Sequence, residues 1–127
     1  MADYRLAAPA AAQIDDILDW SERTFGARAG MRYAALLVNA MADVADDPRR
    51  PAVIWKRRGR STIGIYHLGH SRLHVPDPPG QVGEPRHYVV FRVGPDGIVE
   101  ILGFVHERML LGRALRRILD SNRNDPG

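Results

Sequence analysis

Five histidines, eighteen lysines and arginines, four tyrosines and no cysteine make up the reactive inventory of this 127-residue chain. The lack of cysteine excludes disulfides, thiolate zinc ligands and a thiol nucleophile. His67, His70 and His74 have a spacing that suggests metal ligation. Ser61 to Leu68 reads as a strand, however, and a strand sends alternate side chains to opposite faces, so His67 and His70 diverge. A helix would unite them, but β-branched residues, two glycines and a nearby proline oppose one, and no Glu general base stands between the histidines. The expectation is that the chain binds no metal and no cofactor. His106 closes an apolar run in Phe104-Val105-His106-Glu107-Arg108-Met109. At a strand end, such a His could serve as general acid or base while Arg108 holds a phosphate. The alternative is an imidazole bonded to backbone, with Glu107 and Arg108 opening a helix. Lys56-Arg57-Arg58-Gly59-Arg60 is the densest cationic stretch, read either as a contact for phosphates or acidic protein, or as a solvated loop. Arg72, Arg86 and Arg92 add to the same half. The serines lack a nucleophile-elbow context, and no Gly-rich phosphate loop is present.

The elements that must position these groups follow from periodicity. Residues 3–8 alternate, with Tyr4 and Leu6 to one side, and read as a short strand. Pro9 suits the first turn of a helix that runs to about Thr24, with Ile14, Ile17, Leu18 and Phe25 inward and Asp15, Asp16, Asp19 and Glu22 outward. Gly26 supplies its C-cap. A second helix spans about Arg28 to Asp46, with Met31, Ala34, Leu37, Val38, Met41 and Val44 or Ala45 as its inner stripe, and the short joint makes the two helices antiparallel. Trp20 is expected half-buried on the first helix, and Trp55 is expected to anchor the loop before the sheet. Strands follow at 61–68, 87–93 and 98–106, the last two joined by a Gly94-Pro95-Asp96-Gly97 turn. Residues 74–86 are too rich in Pro and Gly for regular structure. Leu110 to Leu119 reads as a helix with Leu111, Leu115, Ile118 and Leu119 opposite Arg113, Arg116 and Arg117, and residues 120–127 read as a flexible tail. The expected order is β-α-α-β-β-β-α. The strands at 87–93 and 98–106 are apolar at nearly every position, so both sheet faces need cover, one of them from the helical hairpin.

Length and charge frame the function. One domain, with its core at about 3–119, accounts for the chain. Residues 1–50 carry six Arg against eight carboxylates, whereas residues 51–127 carry twelve Lys and Arg against seven. The cationic second half points to an acidic partner, nucleic acid or protein. Met1-Ala2-Asp3-Tyr4-Arg5 lacks the form of a secretory signal, and no apolar run approaches the length of a membrane span.

Several segments, taken in order, resemble one family. Tyr4-Arg5-Leu6 with Pro9-Ala10-Ala11 and Ile14-Asp15-Asp16-Ile17 is similar to the first strand and helix of ParE toxins, in the RelE/ParE superfamily of type II toxin–antitoxin systems, and Phe25-Gly26 to the helical turn. Ile65 to Arg72, Pro85 to Val93 and Val99 to Met109 resemble the later strands. The resemblance covers about residues 4–119. It implies an α+β fold in which a helical hairpin packs on a small, mainly antiparallel sheet. It implies a cytoplasmic, plasmid-stabilising toxin that inhibits DNA gyrase without catalysis, binds no nucleic acid by itself, and is neutralised by a ParD-like antitoxin. An antitoxin segment would then cover the second apolar face of the sheet. RelE relatives instead cut mRNA on the ribosome, and on that alternative His106, Arg108, Arg92 and Arg58 would be catalytic. Arg58, Arg60, His67, Arg72, Arg92, His106 and Arg108 are the expected contacts on one basic face. Three features depart from the family pattern: Ala8 where a Ser or Thr often caps the first helix, the long 74–86 loop, and Met109-Leu110-Leu111-Gly112 in place of an acidic residue after the Met.

Overall fold

The computed structural model describes residues 3–123. The elements are β1 (Tyr4–Leu6), α1 (Ala8–Phe25), α2 (Ala27–Asp46), β2 (Ile54–Arg58), β3 (Ser61–His67), a 3-10 helix (Leu68–His74), β4 (His87–Val93), β5 (Val99–His106) and α3 (Leu111–Arg123). The fold is α+β, with two N-terminal helices on a mostly antiparallel sheet and a helix at the C-terminal end. Among the described residues five strands form one sheet in the order β1-β5-β4-β3-β2, and β1 pairs parallel with β5 while every other pairing is antiparallel.

β2 is a strand that periodicity missed. Four of the five residues Lys56 to Arg60 are cationic, and this hides the alternation that identifies a strand. Those charges suit an edge, where they discourage pairing with other chains. Arg58 faces Ser61 across the two-residue turn Gly59-Arg60, and Gly59 supplies the left-handed φ of 61° that such a turn requires. The basic run is therefore the rim of a β-hairpin and not a loop. Trp55 lies on this strand and packs edge-on against Phe91, with ring centroids 5.4 Å apart. Gly64 makes room for that ring: a Cβ there would stand 2.5–2.9 Å from three Phe91 ring atoms.

Two cores sandwich the sheet. On one face, Tyr33, Leu36, Leu37, Ala40, Met41 and Val44 of α2 pack with Val89, Phe91, Ile101 and Phe104. On the other, Ala114, Leu115 and Ile118 of α3 pack with Ile63, Ile65, Val90, Leu102 and Val105. This second core corrects the expectation that an antitoxin segment covers the sheet's open face, because the chain's own α3 occupies it. Each fully buried Leu or Ile contributes about 1.5–3 kcal/mol, so α3 is held firmly. Leu102 reaches that core through a register shift: Phe91 pairs with Ile101 and Val90 with Gly103, so Leu102 is the extra residue of a β-bulge.

The helices differ in phase from the sequence reading. On α2 the buried stripe is Tyr33, Leu36, Leu37, Ala40, Met41, Val44 and Ala45, while Met31 is 62% and Val38 56% exposed. Tyr33 takes the inward place because its hydroxyl has a buried partner (below), which hydropathy does not register. Phe25, expected inward, is 66% exposed and meets the edge of Trp20 at the helical joint. Ala7, not Ala8, is the N-cap of α1 and offers no side-chain bond, while Gly26 (φ 96°) ends α1 and starts α2. α3 continues through Arg123, past the expected end at Leu119, because Asn122 donates to the carbonyls of Leu102 (3.1 Å) and Ile118 (2.9 Å) and ties the last turn to β5. Residues 124–127 of the expected tail lie outside the described residues. No helix among the described residues is long and apolar enough to cross a membrane.

Candidate functional site

One end of the sheet gathers histidines from three strands. Pairing sets His87, the first residue of β4, opposite His106, the last full position of β5, and His67 of β3 opposite Tyr88. The His87 and His106 rings meet edge to face at 5.0 Å, and the His67 and Tyr88 rings at 4.8 Å. The hydrogen bonds give each ring Nδ1 a partner. Tyr33 accepts the Arg86 backbone N–H at 3.0 Å, so its own hydroxyl donates to His87 Nδ1 at 2.6 Å. His67 Nδ1 accepts from the Gly69 N–H at 3.0 Å, which leaves Nε2–H to donate to Glu107 Oε2 at 3.0 Å. His106 Nδ1 accepts from the Arg108 N–H at 3.1 Å. Arg86 completes the group by donating to Glu107 Oε1 at 2.9 Å.

Burial sets the charge states here. His87 is lowered to about 4 by its desolvation and then by the neighbouring His106. Tyr33 is raised to about 12, again chiefly by burial. Glu107 lies below the usual carboxylate range because Arg86, and next His67, donate to it. At neutral pH the group is a neutral buried His, a protonated Tyr and a paired carboxylate. It is bound to itself, with Nδ1 of all three imidazoles occupied.

A second surface lies at the opposite end. Arg58 and Arg60 of the β2–β3 turn, Arg92 of β4 and Arg123 of α3 line an open groove of about 530 Å³ with Ser61, Leu119 and Asn122. The groove continues along Arg116 and Asp120. Arg92 is paired with Glu100 at 2.6 Å. A third surface is apolar: Trp20, Phe25, Ala29, Tyr33 and Val82 line a groove, also about 530 Å³, between the helical joint and the loop at 81–86.

The residues expected on one basic face are thus divided. His67 and His106 stand at the histidine end with Arg108, whose backbone caps His106. Arg58, Arg60 and Arg92 stand at the cationic end. Five positions of β4 separate His87 from Arg92, roughly 17 Å at the usual strand rise. Arg72 joins neither group, since its Nε donates to the Val82 carbonyl at 2.6 Å and fastens the Pro/Gly loop. His70 and His74 also part from His67: His70 lies in the 3-10 helix against the Tyr66 ring, and His74 Nδ1 lies 2.6 Å from Asp43, which also accepts from the buried Ser71. Sequence reasoning missed Tyr33, His87, Arg116 and Arg123. The pairing of His87 with His106 required the strand register, and the approach of α3 to the hairpin required the second core.

A helical hairpin and a C-terminal helix enclosing this mostly antiparallel sheet make up the RelE/ParE-like arrangement. The family model for the ParE toxin of type II toxin–antitoxin system, parDE, matches residues 4–111. The chain belongs to that family: it is the toxin of a ParDE system, and membership implies a cognate ParD antitoxin. A search of curated proteins gave no match.

Proposed function

We propose that this toxin acts by binding DNA gyrase and blocking it, without chemistry of its own, and that a ParD-like antitoxin prevents this. The supporting observation is the separation of His106 from Arg58 and Arg92 along the sheet. RNA cleavage needs a base for the 2′-OH, an acid for the leaving oxygen and cations for the phosphate within one site. Here the imidazoles bond to their own chain at one end, where Arg108 also stands and Arg86 is held by Glu84 and Glu107, while Arg58, Arg60 and Arg92 lie at the other. The partner contacts fall on what remains exposed: the apolar groove at Trp20 and Phe25, the outward Met31 and Val38 of α2, and the rim formed by His67, His106 and Arg108. Aromatic and Met side chains of this kind anchor protein interfaces. The test pairs a gyrase supercoiling assay with an in vitro translation reaction probed for intact message. Purified toxin should stop supercoiling and leave mRNA whole, and His106→Ala should not change the second result. Unaffected supercoiling at saturating toxin, or message cut by the wild type and spared by His106→Ala, would overturn the reading in favour of the ribonuclease.

A further inference from the structure

We propose that the groove between the β2–β3 turn and α3 binds the phosphodiester backbone of nucleic acid. This departs from the expectation that the toxin alone binds none, and it holds whichever target the toxin attacks. Five guanidinium groups from three elements line the groove: Arg58 and Arg60 from the turn, Arg92 from β4, and Arg116 and Arg123 from α3. Their charge is poorly balanced. Arg92 is paired with Glu100, and Arg58 donates to the Arg57 carbonyl, which leaves its charge uncompensated. Among the described residues no ion pair joins Arg60, Arg116 or Arg123 to a carboxylate. Among the described residues Asp120 is the one carboxylate lining the groove.

Structural roles explain some of these cations but not their convergence. Arg58 protects the sheet edge. Arg123, in the last turn of α3, complements the helix dipole. Neither reason requires Arg60 or Arg116 to face the same space. Gathering like charges costs folding energy, and an anion with regularly spaced charges would relieve it. The lining also argues against an acidic amphipathic peptide. Among the described residues Leu119 is its single large apolar residue, so a peptide would bury little there, whereas a phosphate chain needs only cations and an open channel.

The test is fluorescence anisotropy of the full-length chain with four labelled probes of matched charge: a short DNA duplex, single-stranded DNA, RNA and polyglutamate. The nucleic acids should bind, and the duplex and RNA arms then tell which backbone is preferred. Contact with about three or four phosphates predicts that affinity falls about 40- to 150-fold between about 50 and 200 mM salt. The double variant Arg60→Glu/Arg123→Glu should weaken binding at least about tenfold and flatten the salt dependence. Arg23→Glu/Arg28→Glu, with the same change in net charge on the helical hairpin, should retain it. Circular dichroism of both variants must match the wild type, and Arg116→Glu serves as a further groove variant if the first pair fails to fold. The proposal is overturned by any of three results: no nucleic acid bound at the lower salt, equal losses in the two double variants, or polyglutamate bound as tightly as DNA.

Discussion

His87 should make the stability of this toxin depend on pH between 6.5 and about 4. The imidazole is 6% exposed, receives the Tyr33 hydroxyl on Nδ1, and faces His106, His67 and Glu107. Its folded value of about 4 lies below the usual 6.5, so the unfolded chain binds the extra proton first. The stabilisation associated with neutral His87 is complete above pH 6.5 and is lost as pH falls through the window from 6.5 to about 4. The 2.5-unit gap corresponds to at most about 3 kcal/mol, with a steepest slope near 1.4 kcal/mol per pH unit. Against a typical total of about 5–15 kcal/mol this is a large fraction. Urea denaturation of wild type and His87→Gln at intervals from pH 7.5 to 4 would measure it. The Gln carbonyl can still accept from Tyr33 but does not titrate. Between the two profiles, the wild type should lose up to about 3 kcal/mol relative to His87→Gln as pH falls from 6.5, levelling off near pH 4. Parallel profiles would refute the argument, since another group would then carry the dependence.

Two further perturbations probe the cores. Gly64→Ala places a methyl 2.5–2.9 Å from Phe91 ring atoms, so it should destabilise by about 1–3 kcal/mol, and pairing it with Phe91→Leu should recover part of the lost melting temperature. Leu115→Ala empties the centre of the α3 core and should cost about 2–5 kcal/mol, with increased binding of a hydrophobic dye as the second sheet face is uncovered. If Leu115→Ala melts like the wild type, α3 does not cover that face in solution.

The elements of this toxin were largely legible because local rules govern them. Pro9 and Gly26 mark helix ends, the 94–97 turn joins two strands at almost the observed limits, and Leu111, Leu115 and Ile118 announce one face of α3. The family was legible for the same reason, through the order of these segments. β2 was not, because an edge strand with one neighbour needs no apolar alternation and its cationic side chains look like a loop. The phase of α2 was displaced because Tyr33 is buried through a hydrogen bond to a residue 54 positions away.

The sequence by itself determined every secondary element but β2 and the short 3-10 helix, together with the cationic bias of the second half and the family, since spacing and composition are properties of the chain alone. Only the tertiary structure decided that α3 closes the sheet's second face and that the expected basic face is two surfaces. It also decided that His67, His87 and His106 meet at one end of the sheet. Those outcomes depend on strand register and on distances between residues far apart in the chain, and a pairing one residue out of step would send each side chain to the other face.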